Sequence, residues 1–202
     1  MPNIQIYKPT FILIALNVAF YVYTTIIGGS FLETDYNVIL QYGQRGVDVF
    51  AGQYYQLLTS MFVHANIVHL AGNMIFLLIF GLRGEELFSL PEYLLVYFAG
   101  GFIGNSLSLF FMDPLIPSVG ASGAIFAMFG AATLYARRTA RQSILGALVY
   151  AFFLLFLSAG ENVNILAHLG GMGAGLLIGY LLSARRKPET RYSIAYSYGS
   201  PI

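Results

Sequence analysis

Charged residues are so unevenly spread along this chain that they leave six long uncharged stretches. Only 9% of the 202 residues are charged, whereas a soluble domain carries about 25%. Each stretch can hold the ~20 residues that a helix needs to cross a bilayer. The stretches are residues 9–32, 49–82, 93–112, 114–136, 142–160 and 162–184. This pattern predicts an all-α membrane protein that folds as a bundle of six transmembrane helices.

The predicted spans cover most of the chain. Residues 1–184 are expected to form one six-span domain, and residues 185–202 a short polar tail. The composition also limits the chemistry, because a chain without cysteine has no disulfides or thiolate nucleophiles, and a net charge of +1 gives no nucleic-acid footprint. The spans are predicted at about 10–28, 61–82, 92–112, 119–137, 143–159 and 164–183.

The basic residues predict how the bundle sits in the membrane. Six spans put both termini on one side, and that side holds nine of the ten Lys and Arg residues, with Arg45 alone on the other. Because Lys and Arg concentrate in cytoplasmic loops, both termini of this multi-pass protein are expected in the cytoplasm, with the protein in the cell membrane. Spans 2, 4 and 6 then begin near the outer surface.

Two polar side chains stand near the starts of spans 4 and 6. Ser122 lies in the sequence Gly-Ala-Ser-Gly, and His168 lies in Ala-His-Leu-Gly. Polar groups inside a membrane are costly unless they have partners, and these two are expected at similar shallow depth. A serine next to a histidine is the arrangement of a nucleophile and its general base. The alternatives are a serine in a packing seam and a histidine bonded to a carbonyl.

Small residues indicate how spans 4 and 6 would meet. Glycines recur every four residues along one face of span 6, and span 4 offers a comparable stripe of small residues. Two such faces can pack backbone to backbone, which would bring the Ser122 hydroxyl within hydrogen-bond reach of His168. The small residues are Gly171, Gly175 and Gly179 in span 6, and Gly123, Ala127, Gly130 and Ala131 in span 4.

A third polar group lies near the start of span 2. His69 and Asn73 are four residues apart and share a helix face, so both are candidate hydrogen-bond donors to a developing oxyanion. Asn73 could instead bond a neighbouring helix, and His64 could anchor a loop. A metal site of His64, His69 and His168 is a further alternative, but no carboxylate or thiol joins them in the spans, so no metal is predicted.

Together these motifs resemble the rhomboid family of intramembrane serine proteases, from about Gly52 to Gly179. The stretch 57–64 with His69 and Asn73 matches the family's second span, residues 120–123 its nucleophile motif, and residues 167–175 its sixth-span motif. The resemblance implies Ser122 as nucleophile and His168 as general base. It implies an oxyanion hole made by Asn73, His69 and the Ser122 backbone N–H. The supporting residues that it implies are His64, Gly120 as the close-approach glycine, and Phe126, whose ring would pack against His168.

The function that this resemblance implies is a serine endopeptidase that cleaves transmembrane segments of membrane proteins near the outer face. Its partners would be those substrates and the bilayer, without nucleic acid, metal or cofactor. Predicted spans 4 to 6 contain no Asp or Glu, which favours a Ser–His dyad over a triad. One alternative is a rhomboid-like protein that binds membrane clients without cleaving them. Another is a small transporter, but span-embedded carboxylates and internal repeats, which mark transporters, are absent from the sequence.

Two further features concern the loops. Many family members have Trp-Arg in the first outer loop, where this chain has Tyr55-Gln56 and contains no Trp. A substrate gate is expected at the fifth span, around Phe152, Phe153 and Phe156, together with loop 158–164.

Overall fold

The computed structural model of the protein describes residues 8–140, Gly146 and residues 163–185. Within these residues the chain forms five long helices and three short ones. The long helices are α1 (Pro9–Gly28), α5 (Ile67–Leu87), α6 (Leu90–Phe111), α7 (Ser122–Ala140) and α8 (Ile165–Arg185). The short helices α2 (Tyr36–Tyr42), α3 (Gly46–Phe50) and α4 (Gln56–Thr59) lie in the connection between α1 and α5.

Four of the described helices are long and apolar enough to cross a membrane, namely α1, α5, α6 and α8. They correspond to the predicted spans 1, 2, 3 and 6. The predicted start of span 2 at residue 61 is wrong, because α5 begins at Ile67. The reason is the cap at Asn66, whose side-chain oxygen accepts a hydrogen bond from the His69 backbone N–H at 2.8 Å.

The predicted span 4 is present as helix α7, but α7 is not among the four most apolar helices. It occupies the middle of the bundle, where it packs against α5, α6 and α8, and its residues 123–132 are buried. A helix that contacts protein on most sides does not need the long apolar surface that lipid demands. The last turns of α7 also carry Arg137 and Arg138, which lower the mean hydropathy of the helix.

Some of the predictions fall on other parts of the chain. Apart from Gly146, the fifth span at 143–159 lies outside the described residues, as do the gate phenylalanines Phe152, Phe153 and Phe156 and the tail from residue 186. A total of six spans and a single domain of residues 1–184 therefore stay predictions.

Helices α7 and α8 pack backbone to backbone through the predicted stripe of small residues. A Cβ atom placed on Gly171 would overlap the carbonyl oxygen of Gly123, and one on Gly175 would overlap that of Ala127. The same holds at Gly179, where a Cβ would overlap the backbone of Ala131. The predicted glycine seam is thus confirmed, and it joins the helices that begin with Ser122 and carry His168.

Helix α6 packs on the same pair. Gly104 lies against the carbonyl oxygen of Ala167, and Gly100 against the Cβ of Ala127. Glycines 100 and 104 therefore face the inside of the bundle. Beyond this three-helix centre, aromatic and aliphatic side chains of α1, α5, α6 and α7 form the apolar core, including Leu77, Tyr93 and Met128.

We expect the Gly175→Ala variant to lose stability because its new methyl group has no room against Ala127. Overpacking of this kind costs about 1–3 kcal/mol of unfolding free energy. The matched control is Gly173→Ala in the same helix, where a Cβ would meet no atom within 4 Å. That variant should keep or slightly raise stability, since Ala is the better helix former. Unfolding in detergent micelles measures both, and equal losses would contradict the seam.

Candidate active site

A cleft of about 1180 Å³ lies where helices α5, α7 and α8 begin. Its lining includes six of the predicted site residues, namely His69, Asn73, Gly120, Ser122, Phe126 and His168. These residues come from three helices and one loop that are far apart along the chain. The structure thus brings the predicted serine, its histidine and two candidate hydrogen-bond donors into one space.

Ser122 and His168 are in direct contact. Ser122 is the first residue of α7, and His168 lies in the first turn of α8. The distance between Ser122 Oγ and His168 Nε2 is 2.7 Å, which is a short hydrogen bond. His168 is buried, so the serine hydroxyl can donate to its unprotonated Nε2 with little competition from bulk water. This is the geometry that activates a serine nucleophile.

Phe126 holds the imidazole from one side. Its ring stacks on that of His168, with 4.6 Å between ring centroids and 22° between ring planes. Because Phe126 is one turn after Ser122 on α7, the same helix supplies both the hydroxyl and the surface that orients the histidine. The Phe126 ring therefore packs against His168, as the resemblance implies.

His69 and Asn73 lie on α5 at the wall of the cleft. The Asn73 side-chain amide donates one of its two N–H groups to the His69 carbonyl oxygen at 2.9 Å, which fixes the direction of the amide. Gly120 passes close to the other side of His69, because a Cβ on Gly120 would lie 2.8 Å from His69 Nε2. Gly120 also has φ +121°, a conformation that favours glycine. Only a glycine fits the loop this near to the imidazole.

His64 lies behind His69 and is completely buried. The two rings meet edge to face, with centroids 5.2 Å apart. Its backbone carbonyl accepts a hydrogen bond from the Thr34 hydroxyl at 2.7 Å, so His64 also anchors the loop before α5. Burial lowers the pKa of His64, which is outside the membrane-crossing helices, to about 3. His64 is therefore neutral at physiological pH.

The three histidines are not grouped around one point in the structure. In the part of the chain that the structure describes, no group of three or more His, Cys, Asp or Glu side chains is placed to hold a metal ion. His64 packs behind His69, and the His168 Nε2 contacts Ser122. The metal alternative that the sequence left open is thus not supported by the described residues.

The first loop is anchored by Gln56, which stands where many family members have Arg. Its side chain is completely buried. Its Oε1 accepts a hydrogen bond from the Arg45 backbone N–H at 3.0 Å, and its Nε2 donates to the Leu40 carbonyl at 3.1 Å. The Tyr55 hydroxyl donates to the Gln41 carbonyl at 3.2 Å. A neutral amide thus fastens this loop without burying a charge.

Asn164 is a site residue that no motif predicted. Its Oδ1 accepts a hydrogen bond from the Ala167 backbone N–H at 2.9 Å and caps α8, while its Nδ2 donates to Ser118 Oγ at 2.7 Å. An Asn just before an apolar helical pattern is a recognisable cap signal. Its second partner, Ser118, is 46 residues away in sequence, and nothing local indicates that contact.

Further buried amides join the loops beneath the cleft. Gln44 and Ser118 form an antiparallel backbone pair, with N–H···O distances of 2.9 and 2.8 Å. The Asn105 side chain on α6 donates to the Leu57 carbonyl and to Ser60 Oγ, both at 3.0 Å. These bonds attach the segment before Ser122 and the first loop to the helices.

A family model described as Rhomboid domain matches residues 51–185 of this sequence. That range is well over half of the chain. It contains all the residues that the resemblance assigns to the site. The chain belongs to the rhomboid family. With its four apolar helices, it is an integral membrane protein whose fold is the helical bundle of that family.

Several relatives are similar over the same region. RHOMBOID-like protein 6, mitochondrial, of Arabidopsis thaliana is 37% identical over 134 residues, which cover 63% of this chain and 43% of the relative. Rhomboid protease GluP of Bacillus subtilis is 33% identical over 177 residues, covering 83% of this chain and 34% of the relative. Putative rhomboid protease YdcA of the same bacterium is 33% identical over 149 residues, covering 70% and 72%. The chain thus spans less than half of the first two relatives and most of the third.

We expect Gln56→Ala to loosen the first loop of this rhomboid-family member. The substitution leaves the Arg45 N–H and the Leu40 carbonyl without their partner, and each unsatisfied buried group costs about 1–3 kcal/mol. Hydrogen exchange over residues 40–56 should accelerate accordingly. Tyr54→Ala is the control, since Tyr54 lies in the same loop and is exposed. Unchanged exchange in Gln56→Ala would show that the amide does not anchor the loop.

Proposed function

We propose that this protein is an intramembrane serine endopeptidase, which hydrolyses peptide bonds within or just outside the transmembrane helices of membrane-protein substrates. The observation that carries the proposal is the 2.7 Å hydrogen bond between Ser122 Oγ and His168 Nε2. Two relatives whose names include rhomboid protease add support. No cofactor enters the proposed reaction.

The reaction begins when Ser122 Oγ attacks the carbonyl carbon of the scissile bond. His168 Nε2 takes the hydroxyl proton as the bond forms, and it returns a proton to the leaving amine as the C–N bond breaks. Water then enters the cleft and loses a proton to His168 as it attacks the acyl-enzyme. The resulting acid is released, and Ser122 regains its proton.

The oxyanion that forms during each attack needs hydrogen-bond donors. The proposed donors are the Ser122 backbone N–H, which is free at the start of α7, together with the side chains of Asn73 and His69. The N-terminus of a helix also favours negative charge. Losing one such donor costs roughly 3–4 kcal/mol of transition-state stabilisation. The bond from Asn73 to the His69 carbonyl holds this donor in place before substrate binds.

A dyad is sufficient in this arrangement because other contacts orient the imidazole. The Phe126 ring lies flat against His168, and the glycine seam brings the helix that carries His168 close to α7. Histidine then needs no carboxylate to keep its Nε2 directed at Ser122.

We expect wild-type protein to cleave a model transmembrane substrate, and Ser122→Ala and His168→Ala to lose cleavage by roughly 10⁴-fold or more. Ser183→Ala is the matched control. Ser183 lies at the far end of α8, where its hydroxyl donates to the Tyr180 carbonyl, so its removal should leave cleavage intact. Gel analysis of the fragments in liposomes measures all four proteins.

A fluorophosphonate probe separates the protease from a rhomboid-like protein that only binds membrane clients. The protease should be labelled at Ser122, and His168→Ala should abolish that labelling. A wild-type protein that retains transmembrane clients but is neither labelled nor active would establish the client-binding function instead.

The proposed location is the cell membrane, with both termini in the cytoplasm and the cleft toward the outer face. The nine-to-one division of basic residues supports this orientation. Since the chain has no cysteine, single cysteines can report each side. A membrane-impermeant maleimide should label Tyr54→Cys on intact cells, and Glu86→Cys only after permeabilisation. The opposite pattern would invert the orientation.

A further inference from the structure

We propose that Asn164 is a positioning residue for the serine–histidine pair. It ties the start of α8 to the segment that precedes Ser122, and thereby sets the distance between Ser122 Oγ and His168 Nε2. This inference rests on the proposed protease function where it concerns catalysis, but the tie itself is a property of the structure.

The bonds of Asn164 reach the backbone around His168 and the segment that precedes Ser122. On the α8 side, its Oδ1 accepts from the Ala167 N–H at 2.9 Å, and its carbonyl oxygen accepts from the His168 N–H at 3.3 Å. On the α7 side, its Nδ2 donates to Ser118 Oγ at 2.7 Å. One residue thus holds the backbone of the histidine and the loop that leads into the serine.

Ser118 is a fixed point for this tie. Its backbone N–H and carbonyl both pair with Gln44, at 2.8 and 2.9 Å. Nearer the serine, the Gly120 N–H donates to the Ser60 carbonyl at 2.9 Å. The segment from Ser118 to Ser122 is therefore held against the first loop, and Asn164 attaches α8 to it.

The glycine seam alone does not fix the position of α8 along α7, so a tie of this kind is needed. Glycine faces let two helices come close, but a glycine itself has no side chain that would resist sliding along the helix axes. A slide of about 1 Å would lengthen the Ser122–His168 contact beyond hydrogen-bond range, and a misplacement of that size can reduce a catalysed rate about 100-fold. A polar tie at the ends of both helices opposes that slide.

The test separates the tie from the cap with single and double variants of the full-length protein. Asn164→Ser keeps a good helix cap but is too short to reach Ser118. Ser118→Ala leaves Asn164 and its cap intact but removes the acceptor. Each should lower kcat roughly tenfold with KM changed less than twofold, since the tie acts on the geometry of the pair. The double variant should be no slower than either single variant.

Two outcomes would overturn the inference. One is an unchanged kcat in Ser118→Ala, and the other is a double variant whose loss is the product of the two single losses, about 100-fold. A purely structural role would instead lower the thermal midpoint in detergent and the amount of active protein, with kcat per labelled active site unchanged. If Asn164→Ser does not fold, Ser118→Ala still decides the question, because the cap is present in it.

A readout independent of cleavage keeps this inference apart from the proposed function. The imidazole ¹⁵N shifts of His168 report its hydrogen bond to Ser122 whether or not the protein cleaves anything. Ser118→Ala should move them toward those of Ser122→Ala, and unchanged shifts would count against the tie. If wild type cleaves no better than Ser122→Ala, the protease function fails while the shifts still test the tie.

Discussion

The glycine seam between α7 and α8 is the contact on which the rest of the site depends. Lipid gives helices no hydrophobic reason to associate, so close backbone packing and buried polar contacts must hold them together. In this protein, close backbone packing and a buried polar contact occur at the same place. The seam at Gly171 and Gly175 brings the helices near enough for Ser122 to bond His168, and that bond satisfies two polar groups that would otherwise be costly in a membrane.

The irregular segments around the cleft solve a second problem of the membrane. Backbone groups outside helices must find partners there, and in this protein several of those partners are side-chain amides, of which Gln56 and Asn105 are buried and Asn164 is half-buried. Gln56 hydrogen-bonds to backbone groups of the first loop, Asn105 joins that loop to α6, and Asn164 caps α8. Each amide donates and accepts without carrying a charge, so none of them incurs the desolvation cost of a buried ion. Neutral amides therefore let loops approach the reacting groups closely.

The sequence predicted the serine–histidine contact because the signal for it is local on each helix. Glycine spacing marks the packing faces of spans 4 and 6, and the position of each polar residue in its span gives its depth. The start of α5 at Ile67 was not predicted, since it depends on the Asn66 cap, and the central place of α7 was not predicted, since it depends on packing against three other helices. The contacts of Ser118 with Gln44 and Asn164 join residues far apart in sequence, and no local pattern encodes them.

The division of roles among three helices explains why a small bundle can hold such a site. The hydroxyl and the Phe126 ring come from α7, the imidazole from α8, and the candidate oxyanion donors from α5. Ser122, His168 and His69 lie in the first turns of their helices, next to the irregular segments. The cleft therefore has polar groups where these helices begin, and the packed helices form its walls. The same arrangement makes the chemistry sensitive to sliding between helices, because the hydroxyl, the imidazole and the candidate donors of α5 each lie on a different helix.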